Sequence, residues 1–166
     1  MNRLKVCVLG DGEVGKSAWI TRHSTGQFVE NYKPTMGAAV HNLRFQGEKG
    51  TVLFEVWDCA GRDEYGGLRE GYLLHSNAAV VMFDLTQKTT FKSLDKWIAL
   101  ARKVVPDIPV IVCGNKCDNK DIRVFQPEIS GWFSRQKGVT FYYTSAKTNF
   151  NLEKPFLKVS GQTQFR

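Results

Sequence analysis

One eight-residue segment restricts the folds open to this chain more than any other. It reads GDGEVGKS, residues 10–17, and fits the pattern G-x-x-x-x-G-K-S. A strand-like apolar run, residues 4–10, precedes it, and a helix-like run, residues 16–25, follows it. In this context glycines let a backbone wrap around phosphate groups at the start of a helix. A glycine turn with a chance lysine is the alternative interpretation, and the flanking runs disfavour it.

The alternation of apolar and amphipathic runs continues to the end of the chain. Further strands are predicted over residues 38–46, 51–58, 78–85, 110–115 and 139–146, and further helices over residues 90–105, 127–138 and 151–159. The segment GEKG between the first two of these strands is typical of a hairpin turn. The order predicts an α/β fold with a six-stranded, mostly parallel sheet, one antiparallel edge hairpin strand and about five helices on both faces. One of those helices would lie between the third and fourth strands. The whole chain, residues 1–166, is expected to form one domain.

Composition excludes several classes of protein. Hydrophobic residues make up 42% and charged residues 23%, which is typical of a soluble globular chain and not of a disordered one. No apolar run approaches the roughly 20 residues that cross a bilayer. The four cysteines lack zinc-like pairing, and we expect them to be reduced thiols.

The charge balance is basic, with 23 Lys and Arg against 16 Asp and Glu. This excess either forms a solvated basic surface or favours acidic partners. The sequence contains no dense basic block and no nucleic-acid-binding motif, so nucleic acid is not an expected partner.

The glycine-rich segment is predicted to bind the phosphates of a nucleotide. The backbone amides of residues 13–17 are expected to point inward, and the helix N-terminus adds positive potential. Lys16 would reach the β- and γ-phosphates, and the Ser17 hydroxyl would ligate Mg²⁺. The segment DCAG, residues 58–61, ends a hydrophobic strand 42 residues after Lys16, so Asp58 would hold the same Mg²⁺ through water. Taken alone, a D-x-x-G match occurs often by chance.

Two later segments are predicted to bind a base. NKCD, residues 115–118, follows a strand, and its aspartate could accept hydrogen bonds from the N1 and N2 groups of guanine. Adenine has an acceptor at N1 and no amine at C2, so it would leave this carboxylate unpaired, which a binding site discriminates against strongly. TSAK, residues 144–147, follows the last strand and could support the base from the other side. Taken alone, each segment is a weak signal, and a polar loop after a strand is the alternative interpretation.

In this order and spacing, the four segments resemble those of the Ras superfamily of small GTPases, over essentially the whole chain. The resemblance implies a P-loop GTPase fold, GTP or GDP as ligand, Mg²⁺ as cofactor and hydrolysis of GTP. The nucleotide-binding residues that it implies are Asp11, Gly12, Glu13, Val14, Gly15, Lys16, Ser17, Ala18, Phe28, Thr35, Gly61, Asn115, Lys116, Asp118, Ser145, Ala146 and Lys147. The metal ligands that it implies are Ser17, Thr35 and, through water, Asp58. The catalytic residues that it implies are Lys16, Thr35 and, at the position of the family glutamine, Arg62.

The resemblance also implies a role for each residue around the base. Asn115 and Asp118 would bind guanine, with Lys116 packing over the ring. Residues 145–147 would complete the base site, and Phe28 would stack near the base from the first switch loop.

Several segments resemble the Ran subfamily, the nuclear-transport GTPases. These segments are GGLREGY (66–72), residues 80–94, residues 110–124 and SAKTNFNLEKPFLKV (145–159). The NFNLEKPF part of the last segment has no explanation in nucleotide chemistry and therefore adds weight at the level of the subfamily. The resemblance implies a role in nucleocytoplasmic transport, presence in nucleus and cytoplasm, and a monomer that binds transport receptors, an exchange factor and a GTPase-activating protein.

A Rab-like trafficking GTPase is an alternative. Such relatives usually end in a prenylated cysteine, whereas this chain ends in SGQTQFR, so a lipid anchor is not expected. Ran proteins in turn carry an acidic C-terminal extension, which we expect this domain to lack, because it ends at Arg166 just after the last predicted helix.

Glu13 stands where the family usually has a small residue. Its carboxylate could lie near the phosphates, at a repulsion on the order of 3 kcal/mol before screening, or it could face solvent at little cost.

Arg62 replaces a glutamine that both accepts from the attacking water and donates to the developing charge. Arginine has five donors and no acceptor, so we expect impaired hydrolysis. Alternatively, Arg62 could stabilise charge as an arginine finger does, turn into solvent, or pair with Glu13 or Asp63. A second function therefore stays open, that of a GTP-binding module with negligible turnover that binds its partners constitutively.

Overall fold

The computed structural model describes residues 2–25, 38–61 and 69–165. Six strands and six helices lie in these ranges. In chain order they are β1 (Asn2–Leu9), α1 (Lys16–Thr25), β2 (Ala38–Gly47), β3 (Gly50–Cys59), α2 (Arg69–Leu73), β4 (Ala78–Asp84), α3 (Lys88–Lys92), α4 (Leu94–Val104), β5 (Val110–Asn115), α5 (Gln126–Phe133), β6 (Val139–Tyr143) and α6 (Lys154–Ser160).

The strands form one sheet in the order β2-β3-β1-β4-β5-β6. β2 and β3 pair antiparallel across a short turn, with Gly47 opposite Gly50, and every other neighbouring pair is parallel. This arrangement confirms the predicted α/β fold, the mostly parallel sheet and the antiparallel edge strand. Because β3, β1, β4, β5 and β6 run in one direction, their carboxyl ends meet at one edge of the sheet.

Side chains of β1 alternate between two apolar cores, one on each face of the sheet. Val6 and Val8 pack with α1 and α6, whereas Cys7 and Leu9 pack with α2, α4 and α5. The central strand β4 is buried along its whole length, as expected where helices cover both faces. Helices on both faces were predicted, and this prediction is confirmed.

An aromatic cluster fills the core beneath α1 and α6. The Phe156 ring of α6 stacks on Trp19 of α1, with centroids 5.0 Å apart, and lies 4.7 Å from Phe54 of β3. His23 and Phe45 complete the cluster, with centroids 4.8 and 5.3 Å from that of Phe156. This packing assigns a role to the NFNLEKPF segment, which nucleotide chemistry left unexplained, because its Phe156 anchors α6 to the sheet.

Three helices differ in extent from their predictions. The helix predicted over 90–105 is observed as α3 and α4, which meet at Ser93, and this division gives six helices in place of five. The helix predicted over 127–138 ends at Phe133. The helix predicted from residue 151 begins at Lys154, because Asn151 has a φ of 55° and so cannot belong to a right-handed helix.

All four cysteines are thiols, as predicted. Cys7 of β1 and Cys59 of β3 touch inside the core, with their sulfur atoms 3.2 Å apart. This contact and burial raise the pKa of the Cys59 thiol, and burial raises the pKa of Cys113 to about 12, so the neutral form is favoured for both.

None of the helices in the described ranges is long and apolar enough to cross a membrane.

Candidate functional site

The four predicted segments meet at the carboxyl edge of the sheet. Residues 10–17 follow β1, and Asp58 is the second-last residue of β3. Asn115 ends β5, and residues 144–147 follow β6. Because the sheet order is β3-β1-β4-β5-β6, the glycine-rich loop lies between Asp58 on one side and the two base segments on the other. Loops at this edge are where ligands bind in folds of this kind.

The loop of residues 10–17, hereafter the P-loop, depends on two of its glycines. Gly10 has a φ of 147°, and a Cβ there would lie 2.3 Å from the carbonyl oxygen of Met82. Gly15 has a φ of 103°, and a Cβ there would lie 2.3 Å from Nδ2 of Asn115. Both positions therefore combine a backbone conformation that disfavours L side chains with a close approach from a neighbouring strand.

Lys16 and Ser17 lie at the start of α1 with their polar atoms turned toward the loop. Lys16 is 6% exposed, and its Nζ donates to the carbonyl oxygens of Gly10 and Asp11, each at 2.8 Å. The Ser17 hydroxyl donates to Oδ2 of Asp58 at 2.5 Å. The ammonium group is thus held inside the loop, and a hydroxyl and a carboxylate are held together beside it.

The donor set around Ser17 and Asp58 fits Mg²⁺. Both residues offer oxygen atoms, and Mg²⁺ in proteins usually takes one or two carboxylate contacts and completes its shell with phosphate and water. Among the described residues, no three or more His, Cys, Asp or Glu side chains cluster into a site that could hold a metal without such a ligand. These residues therefore suit a cation that arrives with a phosphate.

The segment that follows β3 lies against the P-loop at Gly61. A Cβ at this position would lie 2.5 Å from the Gly12 nitrogen, 2.6 Å from the Asp11 carbonyl carbon and 2.7 Å from Lys16 Nζ. No side chain larger than hydrogen fits without movement of one of these segments. The predicted amide contact of Gly61 with a phosphate stays a prediction, and the closeness to Lys16 is consistent with it.

Asn115 joins the base side of the site to the phosphate side. Its Nδ2 donates to the Val14 carbonyl at 2.9 Å, and its Oδ1 accepts from the Thr144 hydroxyl at 3.2 Å. The side chain is buried and braces the P-loop against the ends of β5 and β6. The predicted contact of Asn115 with guanine stays a prediction.

Lys116 also reaches the P-loop, from a left-handed backbone with a φ of 64°. Its Nζ donates to the Glu13 carbonyl at 2.9 Å and lies 2.8 Å from Oδ2 of Asp84. Asp84 ends β4 and is almost fully buried.

Asp118 is exposed, and Ser145 orients its carboxylate. The Ser145 hydroxyl donates to Oδ1 of Asp118 at 2.6 Å and accepts from the Thr148 amide at 3.1 Å. The backbone of Ser145 pairs in both directions with Phe150. Ala146 is buried behind this turn and Lys147 is exposed beside it. The segment predicted to complete the base site is therefore tied both to Asp118 and to the NFNLEKPF segment.

Sequence patterns did not reveal two residues that support the site, Trp97 and Asp84, or the specific contact that Thr144 of TSAK makes. Trp97 of α4 lies in the helix predicted over residues 90–105, and its Nε1 donates to Oδ1 of Asp11 at 2.9 Å. Thr144 holds Asn115, and Asp84 holds Lys116. The position of Asp84 at the carboxyl end of a buried strand was the one available signal for it. Trp97 gave none, since an indole at a helical core spacing is normally explained by packing.

The predicted residues have different outcomes. Glu13 is exposed, in agreement with the solvent-facing alternative. Gly12, Val14 and Ala18 lie in the P-loop and at the start of α1, as predicted. Phe28, Thr35 and Arg62 lie outside the described residues, so the roles implied for them stay predictions.

Comparison with models of protein families gives a match to this chain. The family model described as the Ras family matches residues 5–164, which is nearly the whole chain.

Proposed function

The chain belongs to the Ras family, and from that premise we propose that it is a Ran-like switch in nucleocytoplasmic transport with slow hydrolysis of GTP. Family membership itself makes the chain a small GTPase, which alternates between GTP-bound and GDP-bound forms. The subfamily role, the slow hydrolysis and the partners are the proposal.

One observation supports recognition of both the base and the phosphates of a single nucleotide. The 2.9 Å bond from Asn115 Nδ2 to the Val14 carbonyl ties the base segment directly to the P-loop. A rigid link of this kind sets the distance between the phosphate cradle and the carboxylate of Asp118, which Ser145 orients. That carboxylate can accept from guanine N1–H and N2–H and would be unpaired opposite adenine.

On the phosphate side, Lys16 would donate to the β- and γ-phosphates in place of the loop carbonyls. The backbone amides of residues 13–17 would also donate to phosphate oxygens. Ser17 and, through water, Asp58 would hold Mg²⁺, with Thr35 as a further ligand by family resemblance. When bound, this ion supplies charge neutralisation for the β- and γ-phosphates. The chain's own contribution is to position the nucleotide and to keep Lys16 and Ser17 beside its terminal phosphate.

Slow hydrolysis is proposed from the chemistry of position 62. A guanidinium group cannot accept a hydrogen bond from water, so it cannot orient the attacking water as a glutamine does. If turnover is negligible, the protein would act instead as a GTP-bound module that binds partners constitutively. These two functions differ only in the lifetime of bound GTP.

The Ran-like role is supported by the segments 66–72, 80–94, 110–124 and 145–159. On that resemblance the partners would be transport receptors, an exchange factor and a GTPase-activating protein. The protein would be a monomer found in nucleus and cytoplasm, and nucleic acid would not be among its partners.

Nucleotide specificity is tested by competition against a fluorescent GDP analogue. We expect unlabelled GDP to displace it, IDP to displace it less well because IDP lacks the 2-amino group, and ADP to fail at the same concentrations. ADP competing as well as GDP would contradict guanine recognition.

Hydrolysis is tested by single-turnover phosphate release from the wild-type protein, from Arg62→Gln and from Arg123→Gln, each with and without an activating protein. Arg123 is an exposed arginine that pairs with Asp121, and it serves as the matched control. We expect Arg62→Gln alone to release phosphate faster, by at least ~10-fold. Equal rates in all three proteins would show that Arg62 does not limit hydrolysis.

The transport role is tested by capture of purified nuclear transport receptors on the immobilised protein. We expect receptors of the import class to bind the GTP-loaded form and not the GDP-loaded form. Absence of nucleotide-dependent capture would remove the Ran-like role and leave the small GTPase assignment in place.

A further inference from the structure

We infer that Asp84 is a positioning residue of the nucleotide site, which acts by holding the Lys116 ammonium group against the P-loop. None of the four segments that define the site includes Asp84. The inference rests on the proposed binding of guanine nucleotides and adds to it a residue that need not touch the ligand.

Asp84 is anchored on its own side by the turn that follows β4. Its Oδ1 accepts from the Thr86 amide at 2.8 Å and from the Thr86 hydroxyl at 2.7 Å. The backbone amide of Asp84 is also held in place, because it donates to the Thr90 hydroxyl at 2.9 Å. The carboxylate is therefore fixed in one orientation, with 3% of the residue exposed to solvent.

The other carboxylate oxygen, Oδ2, faces Lys116 at 2.8 Å from Nζ. A buried carboxylate is costly unless it is paired, so this contact favours the orientation in which the ammonium group turns inward. The same Nζ donates to the Glu13 carbonyl at 2.9 Å. One ammonium group thus links the end of β4, the base segment after β5 and the P-loop.

Both ends of the Lys116 side chain are consequently fixed. Its backbone is held after β5 in a left-handed conformation, and its ammonium group is held between Asp84 and Glu13. The four-carbon stem between these ends must follow one course. By family resemblance this stem packs over the guanine ring, so Asp84 would set the position of that apolar surface.

A purely structural role for Asp84 is the competing explanation, because its bonds to Thr86 also stabilise the turn before α3. The two roles use different atoms. Asparagine at position 84 can still accept from Thr86 through its amide oxygen, but it carries no charge for Lys116. The substitution Asp84→Asn therefore removes the positioning contact and preserves most of the turn.

The first test measures dissociation of fluorescent GDP and GTP from the wild-type protein, Asp84→Asn and Asp121→Asn. Asp121 lies in the loop after β5, which also carries Lys116, and forms an exposed ion pair with Arg123, so it is the matched control. We expect Asp84→Asn to accelerate dissociation of both nucleotides by roughly 10-fold, the scale of one charge-assisted hydrogen bond, and Asp121→Asn to leave it unchanged. An unchanged rate in Asp84→Asn would overturn the inference.

A double-mutant cycle with Lys116→Met separates positioning from structure. If Asp84 acts through Lys116, Asp84→Asn adds no further acceleration in the Lys116→Met background. Effects that multiply would overturn the assignment and leave Asp84 with a structural role.

If Asp84→Asn does not fold, Thr86→Val replaces it, because it removes a bond that orients the carboxylate and keeps the charge. We then expect several-fold faster dissociation that also disappears with Lys116→Met, and an unchanged rate would overturn the inference.

A comparison of GDP with IDP provides a second readout. The Lys116 stem would contact the ring shared by both ligands, so Asp84→Asn should weaken both by the same factor. A change in their affinity ratio would mean that Asp84 acts through Asp118, contrary to the inference. If the wild-type protein binds neither ligand, the proposed function fails, which is distinct from a wild-type protein that binds but does not respond to Asp84→Asn.

Discussion

At Gly61, a hydrogen atom in place of a methyl group lets the segment after β3 lie directly against the P-loop. The three nearest atoms to a Cβ built there belong to Gly12, Asp11 and Lys16, at 2.5 to 2.7 Å. Two of these atoms are backbone, so they cannot move aside as a flexible side chain can. The contact makes residue 61 part of the wall of the phosphate site.

We predict that Gly61→Ala weakens nucleotide binding by at least ~10-fold, because either the P-loop or the segment after β3 must shift. The measurement is the equilibrium affinity for fluorescent GDP. Gly71→Ala is the matched control, since a Cβ there has no atom within 4 Å. Wild-type affinity in Gly61→Ala would contradict this prediction, because it would mean that the segment after β3 relaxes at no cost.

Glu13 occupies the left-handed region, with a φ of 68°, and its side chain is exposed. A residue with a Cβ pays a conformational penalty there that glycine avoids. The family's preference for a small residue at this position therefore has a backbone reason as well as an electrostatic one.

We predict that Glu13→Gly raises the free energy of unfolding by about 1 kcal/mol, from relief of the left-handed strain. The measurement is urea unfolding at saturating GDP, corrected for any change in GDP affinity. Glu13→Gln keeps the Cβ and removes the charge, so we expect it to match the wild type. Stabilisation by glutamine would instead identify charge repulsion as the cost.

At the scale of the element, two helix glycines allow the effect of backbone conformation to be measured without any effect of steric crowding. Gly131 lies within α5, and Gly161 is the C-cap of α6 with a φ of 69°. A Cβ at either position would have no atom within 4 Å. The same substitution at both therefore differs only in the backbone conformation that alanine must adopt.

We predict that Gly131→Ala stabilises the protein by about 0.5–1 kcal/mol, because alanine loses less backbone entropy in a helix. Gly161→Ala should destabilise it by about 1 kcal/mol, because alanine disfavours the left-handed cap. Chemical denaturation of both variants at saturating GDP checks the signs. Two changes of equal sign would be incompatible with this account.

At the scale of the whole molecule, His23 connects α1, β2 and the segment before α6. Its Nε2 donates to the Leu152 carbonyl at 2.8 Å, and its ring contacts those of Trp19, Phe45 and Phe156. Burial lowers the pKa of His23 to about 4, and the bond to Leu152 opposes this shift only in part. The native protein therefore holds the imidazole neutral across the core that joins these three elements.

We predict that stability falls on acidification between about pH 6.5 and about pH 4, because the unfolded chain binds a proton in this range and the native His23 does not. The contribution is complete above about pH 6.5, and its loss amounts to at most ~3 kcal/mol. Urea unfolding at about pH 7.5 and about pH 5 measures it. In His23→Phe the difference between the two pH values should shrink, and an identical difference would falsify the assignment to His23.

The sequence by itself determined the strands, the P-loop and the identity of the residues at the carboxyl edge. These features depend on local physics, because a buried strand needs a continuous apolar run and a phosphate loop needs glycines before a helix. Helix ends were predicted less well. The left-handed Asn151 and the junction at Ser93 have no signature as strong as a glycine or a proline.

The tertiary structure alone decided how the site is held together. Asn115 and Val14 are 101 residues apart in the chain, and Trp97 and Asp11 are 86 apart. Contacts at such separations follow from the order of the strands and from the helices packed on them, which no local pattern records. The sequence therefore specifies which side chains can bind a guanine nucleotide, whereas the packing of β4, β5 and α4 decides which other residues hold them in place.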